Sequence, residues 1–549
     1  MKARKKILLP VTLTLALITL LSANPSERYF EIAKNLDIFA TLYKEVNTYY
    51  VDDIRPNTLI KTGIDAMLQS LDPYTNYIPE DEIEDYRTMT TGQYGGIGAV
   101  IGKRNGRTLV LMPYDGYPAH EAGLRIGDEI LKVNDVDVRE KSSSEVSKLL
   151  KGQANTTLRL EVERYKTSQP LNINITREKI KINNVPYYGM VNGEVGYLHL
   201  SDFTADASRE VKKAVVDLKE QGAKKIIFDL RDNPGGLLSE AVNIANLFVP
   251  KDSDVVSTKG KVTEWNKTYR ALNQPVDTDI PLVVLTSSHS ASASEIVAGV
   301  IQDYDRGVLV GERTYGKGLV QATRPLTYNS QLKITTAKYY IPSGRCIQAI
   351  DYSHRESDGS VAKIPDSLRM AFSTASGRVV YDGGGIRPDV EVEERNYAPI
   401  TVSLVGQGFL FDYATKYAYE HKSIAEPKAF ALTDAEYDAF VAWLADKDYD
   451  YSTQVEANLT ELTTNAKREK YYDAIKEQLT ALEKQITHDK DKDLMKNREE
   501  IREQLEQEIV SRYYLQRGKV EASFDDDPDI LAALQVLNDG GEFVRLLKP

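Results

Sequence analysis

Two stretches of this chain pass from a short apolar run, through a turn of small residues, into a helical pattern. The first consists of an apolar run at 225–230, a glycine turn, and a helix at 237–248. The second consists of an apolar run at 281–286, a Ser/Ala-rich turn, and a helix at 293–304. Apolar, β-branched runs bounded by polar residues are typical of buried strands. Strands that alternate with helices favour an α/β layer.

The second turn carries Ser292 at the point where the helix begins. A hydroxyl there lies near the positive end of the helix dipole and beside free backbone N–H groups. This position suits a nucleophile, because those N–H groups could bind the oxyanion that its attack creates. Lys317 and Gln321 follow in a strand-like segment that places them on one face. A lysine can act as a base when burial lowers its pKa from about 10.4 to roughly 7–8. The pattern predicts a serine nucleophile with a lysine base.

Three other interpretations of these residues are open. His289 as the base of a Ser-His-Asp hydrolase is disfavoured, because it lies only three residues before Ser292 and no Gly-x-Ser-x-Gly motif is present. A phosphate-binding loop at 311–317 is disfavoured, because Gly318 replaces the magnesium-binding Ser/Thr and a strand pattern follows. Ser292 as a simple helix cap would be favoured if it stood alone. The lysine, the glutamine and the glycine turn together favour the nucleophile.

Composition narrows the class of protein. The 549 residues, 42% of them hydrophobic, are enough for three or four domains. A net charge of −12 disfavours nucleic acid as a partner. Cys346 is the single cysteine of the sequence, so no internal disulfide forms, and no cysteine-protease motif surrounds it. We expect neither a cofactor nor a metal ion.

Residues 91–166 have the pattern of a separable β-rich module. It opens with a glycine-rich run, Tyr94, Gly95, Gly96, Ile97 and Gly98, and closes with an alternating strand at 158–162. Successive N–H groups in such a loop can hold a terminal carboxylate while the peptide adds a strand to the sheet. The module resembles a PDZ domain, and this resemblance implies that the five residues bind the substrate.

The chain resembles the C-terminal processing proteases, also called tail-specific proteases. Three motifs carry the resemblance in the family's order: Asp-Leu-Arg-Asp-Asn-Pro-Gly-Gly (229–236), Ser-Ala-Ser-Ala-Ser-Glu (290–295) and Gly-Lys-Gly-x-x-Gln (316–321). The resemblance implies these roles: Ser292 as nucleophile, Lys317 as general base, Gln321 as the residue that orients it, and the backbone N–H groups of Gly235 and Ala293 as oxyanion donors, with Gly236 nearly as good a candidate as Gly235.

The first 23 residues have the pattern of a secretory signal. Basic residues at 2–6 precede an apolar stretch at 7–21 that is short for a membrane-spanning helix and contains Pro10. We expect cleavage after about Ala23 and export to the cell envelope or periplasm, with retention as a membrane anchor as the alternative.

Helical patterns flank the predicted enzyme on both sides, at 24–90 and at 395–549. Capping signals begin helices at Pro56, after Thr433 and at Pro528. These regions leave open packing on the protease, gating, partner docking and assembly into a homo-oligomer.

We therefore predict a multidomain α/β and α+β chain. Its segments are a signal peptide (1–23), an N-terminal helical region (24–90), a PDZ-like domain (91–166), an α/β serine protease core (167–394) and a helical C-terminal extension (395–549). The predicted function is cleavage of proteins with free, apolar C-termini by an exported Ser-Lys endopeptidase. The alternative is a non-catalytic periplasmic scaffold that binds C-terminal peptides.

Overall fold

The computed structural model of the chain describes residues 25–356, 358–449, 451–486 and 490–549. The predicted signal peptide lies outside the described residues. The described chain divides into two compact units, one of residues 25–77 and 323–334 and the other of residues 78–322 and 335–549.

The helices are, in chain order, α1 (Pro25–Tyr49), α2 (Pro56–Gln69), α3 (Ile83–Thr91), α4 (Pro118–Glu121), α5 (Ser143–Leu150), α6 (Ala207–Glu220), α7 (Leu238–Ala245), α8 (Ala293–Asp303), α9 (Pro399–Gly406), α10 (Phe409–Glu420), α11 (Asp434–Leu444), α12 (Gln454–Arg468), α13 (Tyr472–Ile486), α14 (Lys490–Lys496), α15 (Arg498–Ala522), α16 (Pro528–Asn538) and α17 (Gly540–Leu546).

The strands are β1 (Asn76–Ile78), β2 (Gln93–Gly96), β3 (Ala99–Arg104), β4 (Arg107–Pro113), β5 (Glu129–Val133), β6 (Val136–Asp137), β7 (Thr157–Glu163), β8 (Leu171–Thr176), β9 (Glu178–Lys181), β10 (Tyr187–Met190), β11 (Val195–His199), β12 (Lys225–Asp229), β13 (Asp254–Gly260), β14 (Lys267–Arg270), β15 (Leu282–Thr286), β16 (Val308–Gly311), β17 (Leu319–Pro325), β18 (Gln331–Tyr340), β19 (Ala371–Ser373), β20 (Val379–Tyr381) and β21 (Val390–Glu391).

The first unit contains the helices α1 and α2. Helix α2 has Pro56 at its first position, and the Tyr43 hydroxyl donates to the Pro56 carbonyl oxygen at 2.9 Å. Helix α1 exposes large apolar side chains, among them Tyr29 at 72% and Phe30 at 71% of their surface. An apolar surface of this kind on a long helix is typical of a protein contact.

An antiparallel sheet in the second unit forms the predicted PDZ-like module. Its strand order is β3-β4-β5-β7-β8, with β6 paired to β5. Helix α5 begins with a capping box, in which the Ser142 N–H donates to the Glu145 carboxylate at 2.9 Å and the Glu145 N–H donates to the Ser142 hydroxyl at 3.3 Å. Strand β8 pairs with β7, so this sheet continues beyond residue 166.

A six-stranded sheet with the order β10-β11-β12-β15-β16-β21 forms the centre of the second unit. Strand β10 is antiparallel to β11, and the other neighbours are parallel. Alternate residues of one strand reach opposite faces: Phe228 packs beneath α6, α7 and α8, whereas Ile227 packs on the other side. Apolar side chains on both faces explain why the central strands are continuous apolar runs.

The last helices of the chain cover the second face of this sheet. Ile530 and Leu537 of α16 are buried against Tyr197, Ile227 and Val283. The chain end follows α17 onto the same surface, where the Ser376 hydroxyl donates to the Leu547 carbonyl oxygen at 3.0 Å. Part of the predicted helical extension thus completes the protease core.

The rest of the extension forms its own helical core. Buried residues of α9, α10, α11, α14 and α15 pack together there. Among the residues that the structure describes, no helix combines the length and apolar character needed to cross a bilayer. The predicted fold class, mixed α/β and α+β with a PDZ-like domain and helical flanks, is confirmed.

Candidate active site

Ser292 lies between strand β15 and helix α8, at the cap position of the helix. Its backbone has φ 56° and ψ −108°, a conformation that residues other than glycine rarely adopt. Strained backbone of this kind is often found at functional sites, where the surrounding structure must hold it in place. The Ser292 side chain is half-buried at the start of a buried helix.

The buried carboxylate of Glu295 joins the two predicted catalytic residues. Its Oε2 accepts the Ser292 N–H at 2.8 Å and the Lys317 N–H at 2.8 Å. Its Oε1 accepts the Thr314 hydroxyl at 2.5 Å and the Gly316 N–H at 2.7 Å. Burial raises the pKa of the Glu295 carboxyl above its usual value, while these hydrogen bonds act in the opposite direction. One carboxylate thus fixes the backbones of both residues.

Tyr339 connects the same two residues from the other side. Its hydroxyl lies 2.6 Å from the Lys317 carbonyl oxygen and 3.1 Å from the Ser292 carbonyl oxygen. A hydroxyl carries a single proton, so the two oxygens share it. The ring is buried, and the Tyr339 N–H donates to the Gly318 carbonyl oxygen at 3.0 Å. Tyr339 therefore restrains the separation of the Ser292 and Lys317 backbones.

Gln321 lies on strand β17, two residues beyond the buried Leu319. Its side-chain amide donates to the Thr335 hydroxyl at 3.3 Å. The predicted role of Gln321 in orienting Lys317 stays a prediction.

The glycine turn of residues 230–236 packs directly against the Ser292 turn. The Asn233 carbonyl oxygen accepts the Ala291 N–H at 3.0 Å and the Ser294 hydroxyl at 2.9 Å. Gly235 has φ 97°, and a side chain added there would put its Cβ 2.8 Å from the Ala293 nitrogen. The structure thus brings two predicted oxyanion donors, Gly235 and Ala293, next to one another.

The Gly235 N–H is already engaged in this conformation. It donates to the Asn233 Oδ1 at 2.9 Å, and the Asn233 amide in turn donates to the Leu200 carbonyl oxygen at 2.7 Å. Donation from Gly235 to an oxyanion would require this bond to be shared or exchanged. Gly236, with φ 152°, is the neighbouring candidate donor.

The five predicted peptide-binding residues lie at the edge of the PDZ-like module. Tyr94, Gly95 and Gly96 belong to β2, which pairs with β9, and the Gly95 carbonyl oxygen accepts the Gly152 N–H at 3.0 Å. Ile97 is buried, and Gly98 has φ 73°. Strand β3 follows, paired with β4 on one side and lying beside helix α5. Strand β3 is at the edge of its sheet, where an extended peptide can add as a further strand.

A cavity of about 1170 Å³ lies between the PDZ-like module, the protease core and helix α15. Tyr114 and Tyr117 line it from the module, and Asp202 lines it from the core. The next residue, Phe203, donates its N–H to the Gly235 carbonyl oxygen at 3.3 Å. The cavity therefore ends one residue from the contact with the glycine turn.

The alternative nucleophile systems gain no support from the geometry. The His289 side chain is 76% exposed, and its Nδ1 lies 3.3 Å from the Asp232 carboxylate. Burial raises the pKa of the Cys346 thiol, which favours the unreactive protonated form. His354 contacts the Asp351 carboxylate at 2.6 Å.

Sequence reasoning assigned no role to Glu295, Tyr339 or Asn233. Glu295 had a readable signal, because Ser-x-x-Glu before an apolar helix is a capping box. Tyr339 had none, because it reaches the site from a distant strand.

Three family models match separate parts of the chain. Peptidase family S41 matches residues 194–354, a PDZ domain matches residues 110–164, and the C-terminal helical domain of PDZ-proteases matches residues 400–537. Fold and matches together define a serine-type peptidase that carries a PDZ domain.

Named relatives narrow the class to one family. A carboxy-terminal-processing protease of Bartonella bacilliformis is 35% identical over 344 residues, which are 62% of this chain and 79% of the relative. A CtpA-like serine protease of Staphylococcus aureus is 39% identical over 316 residues, 57% of this chain and 62% of the relative. The chain belongs to the carboxy-terminal-processing protease family, which confirms the predicted family and the predicted enzyme class.

The chain is also similar to a solved structure. The photosystem II D1 C-terminal processing protease is 27% identical, with a TM-score of 0.35, over 65% of this chain and 92% of that one.

Proposed function

We propose that this chain is an exported endopeptidase that uses Ser292 as nucleophile and Lys317 as general base. The observation that carries the proposal is the shared carboxylate: the N–H groups of both residues donate to the same Oε2 of Glu295, each at 2.8 Å. A carboxylate oxygen that accepts two such bonds fixes the relative position of the two backbones.

The proposed reaction has two halves. Lys317, as a neutral amine, takes the proton of the Ser292 hydroxyl while the oxygen attacks the peptide carbonyl carbon. Backbone N–H groups of Ala293 and of Gly235 or Gly236 stabilise the oxyanion, and Gln321 orients the lysine. The amine leaves with the proton from Lys317. Water, with Lys317 again as base, then hydrolyses the acyl-enzyme and releases the new C-terminus.

The PDZ domain is proposed to select protein substrates by free, apolar C-terminal ends. Strand β3, at the edge of the PDZ sheet, offers main-chain hydrogen bonds to an extended tail. The cavity beside Tyr114 and Asp202 then leads from the PDZ domain towards the glycine turn. Export to the cell envelope is proposed from the N-terminal sequence, and assembly into a homo-oligomer from the apolar surface of α1.

The test compares the wild-type chain with Ser292→Ala and Lys317→Ala on an unfolded protein that ends in a free apolar tail. We expect both variants to lose cleavage by at least about 10³-fold while keeping the wild-type melting temperature. Ser288→Ala is the matched control, because Ser288 is an exposed serine of the same loop. A charged tail on the same substrate tests selection by the PDZ domain.

Two results would contradict the proposal. Cleavage that survives in folded Ser292→Ala would move the nucleophile elsewhere. A wild-type chain that binds the tail without cleaving it would favour the non-catalytic scaffold.

A further inference from the structure

Arg231, in the glycine turn, is shared by three carboxylates. Its Nη2 donates to Asp229 at 2.7 Å, and its Nη1 donates to Asp527 at 2.9 Å and to Asp529 at 2.8 Å. The guanidinium side chain is 19% exposed. Asp229 lies two residues away in the chain, whereas Asp527 and Asp529 come from the start of helix α16. We call these four residues the Arg231 cluster.

Arg231 lies inside the turn that packs against the Ser292 turn. Leu230, on one side of Arg231, accepts the Ser290 hydroxyl at 2.7 Å through its carbonyl oxygen. Asn233, on the other side, accepts the Ala291 N–H at 3.0 Å. Asp232, between them, has φ 58°, a left-handed conformation that costs energy for a residue other than glycine. Such a turn must be held by contacts with the rest of the fold, and Arg231 connects it to helix α16.

Helix α16 is a firm anchor for that link. Asp527 caps the helix, because its Oδ1 accepts the N–H groups of Asp529 at 3.0 Å and of Ile530 at 3.2 Å. The helix is fixed to the central sheet by the buried side chains of Ile530 and Leu537. The positive end of the helix dipole and the guanidinium together allow the carboxylates to lie close to one another.

A single carboxylate would be enough to neutralise Arg231, and Asp229 already supplies it. Desolvation opposes ionisation of Asp229, but the guanidinium of Arg231 outweighs it and lowers the pKa of that carboxyl. Asp527 and Asp529 instead fix Nη1, the end of the guanidinium that Asp229 leaves free for other acceptors. Their effect is therefore on the direction of the Arg231 side chain and of the turn that carries it.

We propose that Asp527 and Asp529 are positioning residues for the peptidase. Through Arg231 they hold the turn 230–236, which carries the candidate oxyanion donors, in place against the Ser292 turn. The inference rests on the proposed function, because it assigns that turn to the oxyanion. It makes the end of the C-terminal extension part of the catalytic machinery, although neither carboxylate touches the substrate.

The experiment measures peptide cleavage by the full chain with Asp527→Ser, Asp529→Ala and the double variant. Serine keeps an oxygen that can cap the helix, but it is shorter than aspartate and uncharged, and alanine removes the second acceptor of Arg231 Nη1. We expect kcat to fall about 10- to 100-fold in the double variant, less than the roughly 10²- to 10³-fold loss caused by removing an oxyanion donor, while KM stays within about twofold. The pH profile of kcat/KM should keep its shape, because the base is untouched.

Two controls separate positioning from stability. Asp525→Asn changes an exposed carboxylate of the same segment and should leave kcat unchanged. Leu444→Ala loosens the separate helical core of the extension without touching α16 or a carboxylate, and it should lower the melting temperature while leaving kcat in the folded protein unchanged.

The outcomes distinguish this inference from the proposed function. Wild-type kcat in a folded double variant overturns the inference alone, provided that the wild type cleaves and Ser292→Ala does not. An equal loss of kcat in Leu444→Ala also overturns it, because general destabilisation then explains the effect. A wild-type chain that never cleaves refutes the proposed function and this inference with it.

Discussion

Replacing Glu295 by glutamine would test whether one carboxylate organises the active site. The carboxylate accepts two hydrogen bonds at each oxygen, from Ser292 and Lys317 on one side and from Thr314 and Gly316 on the other. A glutamine amide accepts at one end only and presents an NH2 group at the other. Two of the four donors therefore lose their acceptor and face another donor.

The cost follows from burial. Each buried donor left without an acceptor costs about 1–3 kcal/mol, so two of them destabilise the site by about 2–6 kcal/mol. Removal of a fully buried charge offsets part of this, because burial disfavours the ionised form of Glu295. The remaining destabilisation falls on the backbones of Ser292 and Lys317, which the carboxylate holds in position. A displacement of about 1 Å between reacting groups lowers the rate about 10²-fold.

The assay is kcat/KM for peptide cleavage by folded Glu295→Gln, with the melting temperature measured on the same sample. We expect about a 10²-fold loss of kcat/KM with most of the fold intact. Glu436→Gln is the matched control, because Glu436 occupies the same third helical position and accepts the N–H of its own cap residue, Thr433, at 2.8 Å. It should lower stability without lowering activity.

Wild-type activity in folded Glu295→Gln would refute this reasoning. It would mean that the Ser292 and Lys317 backbones keep their positions without the carboxylate. An equal loss of activity in Glu436→Gln would refute it as well, since the effect would then follow from general destabilisation.

Three further substitutions have defined outcomes. Tyr339→Phe removes the hydroxyl shared by Ser292 and Lys317, so stability should fall by about 0.5–1.5 kcal/mol and kcat should fall more than KM rises, as steady-state kinetics would show. Gly235→Ala puts a Cβ 2.7 Å from the Ala291 carbonyl oxygen at φ 97°, so cleavage should be lost; wild-type turnover in the folded variant would argue against a close turn. Burial raises the pKa of Glu506 to about 7, above about 4.3 in the unfolded chain. The stability from that shift is present below about pH 4.3 and lost as the pH rises through 7. Glu506→Gln should therefore reduce the fall in stability between pH 5 and pH 8, by about 1–2 kcal/mol after solvent screening, and unchanged melting curves at both pH values would contradict this.

The sequence predicted the elements around the site because their signals are local. The apolar run at 281–286 forms β15 (Leu282–Thr286), and the helix predicted at 293–304 is α8 (Ala293–Asp303). The cap predicted at Thr433 is present, with a complete capping box. The spacing of apolar residues and the capping or turn residues at each end, all within about twelve residues, decide such features.

The remaining features depend on contacts between distant parts of the chain. The sequence of α16 predicts an amphipathic helix. It does not indicate that the apolar face of this helix packs on the sheet of the protease core. Tyr339 and Arg231 likewise acquire their partners through tertiary packing. The roles of Ser292, Lys317, Gln321 and the oxyanion donors rest on the residue pattern together with the family resemblance, and they stay predictions until they are measured.

The packing of α17 bears on whether one copy of this enzyme can cleave another. Phe543, Leu546 and Leu547 form an apolar segment that packs on the core. While α17 is folded and the Leu547 carbonyl oxygen accepts the Ser376 hydroxyl, that segment is not available as an extended strand. A folded copy therefore withholds the segment from the active site of a second copy, whereas a partly unfolded copy exposes it. Mass measurement after mild denaturation should find cleavage near residues 543–547 in wild type and none there in Ser292→Ala.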